Sequence, residues 1–393
     1  MTYEQIRQLD DSYIAHTYGR ANVCIAKGKN ATCWDLDGKE YIDFSSGIGV
    51  NALGFCDEQW VQAVSTQAAT MQHISNLYYT LPGPQAAQLL CEKTGYQKVF
   101  FGNSGAEANE GAIKTARKYS FDQYGAESGR YEIVSLVNSF HGRTMATLTA
   151  TGQAVFHNYF FPFVQGFSYA AANDMEDVKA KITDKTCAVM IEFVQGEGGV
   201  IPLDADFVQQ LWQYCKERDI LLIADEVQTG IGRTGEILAS QHFGIHPDIT
   251  TVAKALGGGL PIGAVLFGEK VEYVLGAGMH GTTFGANPVA CAGAKVVLER
   301  MDRAFLDEVK AKGDYLRAKI EKMPGVQSVT GMGMMLGIQP AVSDSQTIVA
   351  KCIEKGLIPL TAKAKVRLLP PLTITYEEMD KGLAILEEVL SQL

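Results

Sequence analysis

Four short clusters in this chain combine residue types that catalysis uses. Lys254 closes the β-branched run Asp248-Ile249-Thr250-Thr251-Val252-Ala253 and leads to three glycines, Gly257 to Gly259. A lysine held in a partly dry pocket loses its proton more readily and becomes a nucleophilic amine able to form a Schiff base; in solvent it is an ordinary cation. Asp225 ends the apolar run Leu221-Leu222-Ile223-Ala224. An acid there is costly to bury unpaired, so it calls for a cation or hydrogen-bond donors, and a structural ion pair would also serve. Gly102-Asn103-Ser104-Gly105-Ala106-Glu107 joins Val99-Phe100-Phe101 to a helical stretch. Small residues at a helix start expose N–H groups that suit a phosphate; a tight turn capped by Ser104 is the plainer reading. In Asn138-Ser139-Phe140-His141-Gly142-Arg143-Thr144, Phe140 could stack on a planar ring and Arg143 could take a carboxylate, or stand solvated. Gly230-Ile231-Gly232-Arg233-Thr234-Gly235 matches a dinucleotide fingerprint. The polar stretch before it and the weak helix start after it argue against nicotinamide binding and a dehydrogenase.

The elements that must position these residues are legible in the hydrophobic pattern. Val99–Phe101, Ile133–Val137, Ala188–Ile191, Leu221–Ala224 and Ala264–Phe267 are short unbroken apolar runs, the pattern of strands buried on both faces. The stretch Asp206–Arg218 between two of them puts Phe207, Leu211 and Tyr214 on one helix face. Alternation of strand and helix implies an α/β fold with a mostly parallel sheet, which binds ligands beyond the carboxyl ends of its strands. Residues 32–44 read as two strands around an Asp-Gly turn. The C-terminal part reads as a charged helix, a glycine-broken hairpin, then helix, strand and helix. We expect residues 61–300 to form the large domain, with 1–60 and 301–393 combining into a smaller α+β domain. Of 393 residues, 34 are Lys or Arg and 44 Asp or Glu, a formal net charge of −10. Such a chain suits neither nucleic acid nor an anionic membrane. No apolar run approaches the roughly 18 residues that span a bilayer, and the start MTYEQIRQLDD lacks a signal-peptide pattern. The eight cysteines, without a CxxC pair or zinc spacing, read as buried reduced thiols of a cytoplasmic protein, with no metal site.

Together the clusters supply a phosphate cradle, a stacking aromatic, a strand-end acid, a strand-end lysine and an arginine for a substrate acid. Pyridoxal 5'-phosphate needs that inventory. The whole chain resembles the class III (omega-type) aminotransferases of pyridoxal-phosphate fold type I, on GKEYIDFSSGIGVNALG, GNSGAEANEGAIKTARKY, FHGRT, VQGEGGV, ADEVQTGIGRTG, AKALGGGLPIGA, HGTTFGANP and VRLLPPL. It departs from the family at Phe193, where Pro is usual, and at Phe55, where His is common. The resemblance implies that Lys254 carries the Schiff base and shuttles the proton, and that Asp225 pairs with the pyridinium nitrogen. It implies Gln228 at the phenolic oxygen, Ser104, Gly105 and Ala106 at the phosphate, Phe140 on the ring, and Thr283 reaching the phosphate from a neighbouring subunit of a homodimer. It places the substrate's distal carboxylate on Arg143, helped by Thr282, and the α-carboxylate of glutamate or 2-oxoglutarate on Arg367, which Glu197 pairs with otherwise. The likeness is greatest to members acting on N2-acetylornithine, so the expected reaction is transfer of its δ-amino group to 2-oxoglutarate, in the cytoplasm, for arginine synthesis. Ornithine, succinylornithine, succinyldiaminopimelate and 4-aminobutyrate are the alternative donors.

Overall fold

The computed structural model describes residues 1–393. Near the N-terminus, β1 (Ile25–Lys29), β2 (Thr32–Asp35) and β3 (Glu40–Asp43) form an antiparallel meander whose second turn holds Asp37-Gly38. The central sheet then takes β4 (Lys98–Gly102), β5 (Glu132–Leu136), β6 (Phe167–Ala170) and β7 (Thr186–Ile191). A small ribbon follows, β8 (Val194–Gln195) with β9 (Ile201–Pro202). The sheet is completed by β10 (Leu221–Asp225), β11 (Ile249–Val252) and β12 (Gly263–Phe267), in the order β4-β12-β11-β10-β7-β5-β6. Only β12 runs antiparallel to its neighbours, so the sheet is mostly parallel as expected. Every residue of β7, β10, β11 and β12 is buried, because helices cover both faces; hence the unbroken apolar runs.

The helix Gly105–Tyr124 lies on the sheet through Ala108, Ala112 and Ala116, residues small enough for close approach to the strands. On the other face, the helix Ala205–Glu217 buries Phe207, Val208, Leu211 and Cys215. Cys215 takes the place on the stripe that spacing gave to Tyr214. The Tyr214 ring lies at the rim, with the Arg218 guanidinium 3.8 Å from its centroid. The cysteine expectation also needs correction. All eight are free and five are buried, but Cys24 and Cys91 are half-buried and Cys56 is exposed, on a left-handed surface turn with φ of 54°.

The two chain ends combine into the smaller α+β layer. After the helix Arg303–Ile320 come the hairpin β13 (Val326–Met332) and β14 (Met335–Pro340), the helix Ser345–Lys355, then β15 (Leu357–Ile358), β16 (Leu360–Ala362) and β17 (Lys365–Leu368). β15 pairs in parallel with β3, so a C-terminal strand completes the N-terminal sheet. β17 lies between β14 and β16 and carries Arg367. The last helix, Tyr376–Ser391, buries Met379, Leu383, Leu386 and Leu390. The helix Tyr3–Tyr13, by contrast, buries no residue.

One carboxylate ties the ends. Glu378, the reciprocal cap of the last helix, accepts from Asn30 Nδ2 at 2.6 Å, Ala31 N at 3.1 Å and Thr32 Oγ1 at 2.9 Å. Removing it strands part-buried donors, each costing about 1–3 kcal/mol. We expect Glu378→Ala to lower the calorimetric melting temperature by several degrees and Glu378→Gln, which keeps one acceptor, by less. Equal melting of all three proteins would show that the clip does not bear on stability.

Candidate active site

The carboxyl ends of β4, β5, β7, β10 and β11 open onto one cavity of about 460 Å³. Ser104, Gly105 and Ala106 line it from the end of β4, Phe140 to Arg143 from β5, Glu192 from β7, Asp225, Val227 and Gln228 from β10, and Lys254 from β11. Since β12 runs the other way, its entry residues Leu260 to Ile262 reach the same edge. Residues as far apart in the chain as Ser104 and Lys254 thus meet because parallel strands end together.

Lys254 stands at the site's centre on a left-handed backbone, φ 38°, which non-glycine residues rarely adopt. Its amine is held below the ordinary lysine value, chiefly by burial; Glu197 and Asp225 oppose that shift and Arg367 adds to it. Asp225 is buried and accepts three hydrogen bonds: from His141 Nδ1 and Asn109 Nδ2, each at 2.8 Å, and from Val227 N at 3.0 Å. Accepting from an imidazole requires the proton on Nδ1, so the histidine's tautomer is set by the acid; its Nε2 is buried without a partner. Asn109 is itself oriented, donating to the His141 carbonyl at 2.7 Å and accepting from Thr251 Oγ1 at 2.7 Å. Burial, reinforced by the charge of Asp225, pushes the Glu192 carboxyl well above its usual range; the amides of Phe140 and Gly196 point at it.

Arg367 lies behind Gln228. Its Nη1 donates to Glu197 Oε1 at 2.6 Å and to Gln228 Oε1 at 3.2 Å, while its buried Nε is unpartnered. A Cβ on Gly196 would fall 2.3 Å from Gln228 Oε1, so glycine there leaves the glutamine room to enter. Thr282 stands one contact back, its Oγ1 accepting from Asn103 Nδ2 at 2.9 Å. Thr283 is exposed and does not line this chain's cavity.

The residues present fit pyridoxal phosphate. Ser104 caps the helix by accepting from Glu107 N, and its carbonyl takes Ala108 N. That leaves the Gly105 and Ala106 amides without an intrahelical acceptor, at the positive end of a 20-residue helix. A Cβ on Gly105 would meet Val227 Cγ1 at 2.7 Å, so only glycine lets the loop pack this closely. Phe140 and Val227 offer a ring face and a branched side chain for a flat heterocycle. Glutamine, acid and lysine complete the polar set.

Three participants went unassigned in the sequence. His141 sat beside residues that were assigned; a donor to the acid was its available role. Asn109 lies four residues after Gly105 in a small-residue helix, where a buried amide invites a reason. Glu192 is an acid just past a buried strand, as Asp225 is one at the end of another. Conversely, Gly230 to Gly235 is a closed turn, with Ile231 N bonded to the Ile237 carbonyl and Arg233 fully buried. No helix start follows for a pyrophosphate, which excludes the dinucleotide reading.

The family model for class III aminotransferases matches residues 13–390. The chain is 50% identical to the acetylornithine aminotransferase of Haemophilus ducreyi over 395 residues, all of both proteins. Its fold superposes on the crystal structure of N-acetylornithine aminotransferase from Stenotrophomonas maltophilia with a TM-score of 0.84, at 34% identity and 98% coverage of each chain. It also superposes on ornithine aminotransferase from Toxoplasma gondii, in a structure with partial occupancy of PLP at the active site. There the TM-score is 0.94, at 30% identity, covering 100% of this chain and 94% of the other.

Burial disfavours the ammonium form, so the free Lys254 amine should appear at lower pH than on surface lysines. Competitive acetylation of cofactor-free protein, read by peptide mass spectrometry, should place the Lys254 midpoint below the ordinary 10.5, and urea should abolish the difference. A midpoint shared with surface lysines in the folded protein would show that the pocket is wet.

Proposed function

The chain belongs to the class III aminotransferases, and we propose that it transfers the δ-amino group of N2-acetyl-L-ornithine to 2-oxoglutarate, giving N-acetyl-L-glutamate 5-semialdehyde and L-glutamate. Arg143 carries the choice of donor. It lines the cavity that holds Lys254, and its guanidinium makes no ion pair or hydrogen bond within the chain, lying only near the rings of Phe140 and Phe156. A free cation there suits a donor whose carboxylate is remote from the reacting amine.

Pyridoxal phosphate, when bound, supplies an aldehyde that condenses with amines and a pyridinium that draws electrons from the substrate carbon. In this reading Gly105 and Ala106 amides hold its phosphate with Ser104 beside them, Asp225 holds the ring nitrogen, Gln228 the phenolic oxygen, and Phe140 one ring face. Lys254 Nζ moves the proton on and off the substrate's δ-carbon, for which its lowered basicity prepares it. His141 and Asn109 donate to Asp225 and fix the orientation of its carboxylate in the buried site. Glu197 neutralises Arg367 while the acetylated donor is bound; glutamate or 2-oxoglutarate replaces that partner with its own α-carboxylate. One pocket thereby serves two substrates of different length in a ping-pong cycle.

The reading includes a homodimer with shared sites, in which Thr283 of one copy reaches the phosphate held by the other. It is supported by the exposure of Thr283 and Phe284, near Leu77, Tyr78 and Tyr79, whose apolar surface finds no cover in one chain. The domain division at residues 60 and 300, with Lys254 in the larger part, and a cytoplasmic setting belong to the same reading.

Initial rates at equal donor concentrations should favour N2-acetylornithine; a clear preference for ornithine, succinylornithine, succinyldiaminopimelate or 4-aminobutyrate would refute the choice of donor. Lys254→Ala should keep its circular dichroism and lose turnover by several orders of magnitude; undiminished activity would remove the lysine from the reaction. Arg143→Ala should chiefly raise the KM for acetylornithine.

A further inference from the structure

The one arginine lining the cavity is held by rings rather than by charge. The Arg143 guanidinium carbon lies 4.2 Å from the centroid of Phe156 and 5.7 Å from that of Phe140. The two rings meet edge to face, with centroids 5.7 Å apart. A ring face attracts a cation without using its N–H groups, so all five donors stay free for a ligand. An acidic partner would have positioned the side chain as well but would have competed with an incoming carboxylate.

Phe156 is built into this place. It ends the short 3-10 turn Ala154–Phe156. That turn is pinned on one side by buried Gln153, whose Nε2 donates to the Ser139 carbonyl at 3.0 Å. On the other side His157 Nε2 is 2.9 Å from the Leu148 carbonyl. Ser139 in turn accepts from Gly152 N at 3.0 Å and immediately precedes Phe140. The segment carrying Phe156 is therefore tied to the same loop that carries Phe140 and Arg143, and the half-buried ring does not itself line the cavity.

We infer that Phe156 is a positioning residue for substrate selection: its ring pre-orients Arg143 to receive the carboxylate remote from the reacting amine, and so sets the preference for ω-amines that bear an acid over those that do not. This rests on the reading of Arg143 given above. Ordering the guanidinium before binding removes an entropic cost that a freely rotating arginine would meet on capture.

The test uses the holoenzyme and two donors, N2-acetylornithine and N-acetylputrescine, the same chain without its carboxylate. In Phe156→Ala the ratio of kcat/KM for acetylornithine to that for N-acetylputrescine should fall roughly 3- to 30-fold, the span of one cation–π contact. Phe156→Leu, which keeps apolar bulk without a ring face, should behave alike, and Phe156→Tyr should restore the ratio. In an Arg143→Ala background, Phe156→Leu should no longer change it. An equal loss for both donors, or an undiminished effect of Phe156→Leu without Arg143, would reduce the ring to a packing role and overturn the inference. Parental kinetics in Arg143→Ala alone would overturn the reading of Arg143 itself, and the role of Phe156 with it.

Discussion

An amine taken out of water is the constraint on which this structure turns. An ammonium is costly to bury, and Lys254 answers by holding its amine below the ordinary lysine value among Glu197, Asp225, Arg367 and Glu192. Burial is the chief cause of that lowering; the three acids oppose it and the arginine adds to it. Two of these neighbours, Arg367 and Glu197, pair with each other at 2.6 Å.

The polar framework around Asp225 follows from the same low dielectric. A buried carboxylate needs partners for its lone pairs, and His141, Asn109 and Val227 donate to three of them. The three come from a loop after β5, the helix after β4 and the backbone after β10, so the acid also fastens the elements whose ends form the cavity. Such a network has few slack positions, which is why glycine is demanded at 105 and 196, where a single methyl group would meet Val227 or Gln228. The arginine that faces the substrate is treated differently. Arg143 has aromatic neighbours and no acid, and stays available where Arg367 is already matched.

Much of this was legible before any fold was known, for reasons that differ by residue. Strands buried on both faces are mostly apolar, so β7 and β10 announced themselves, and the polar residue that ends β10 was Asp225. Ser104 reads as a cap from its place between a strand and small helical residues, and it is one. Where two neighbours share a helical stripe, as Tyr214 and Cys215 do, spacing could not say which faces inward; the smaller side chain did. Cys56 shows the limit of composition, since a thiol's burial depends on the turn that carries it. The Gly230 to Gly235 match shows the limit of a pattern without its context, because no helix follows it to receive a phosphate.

The sequence by itself determined the class of fold, the family and the chemical types present, because burial and backbone geometry restrict which residues each element tolerates. Tertiary structure alone decided who partners whom. Asp225 could have met any cation until the fold brought it His141 and Asn109, and Arg143 any acid until Phe156 was pinned beneath it. The partners of Asp225 lie 84 and 116 residues away from it in the chain. Such meetings are set by how the sheet orders its strands, and no local run of residues encodes that order.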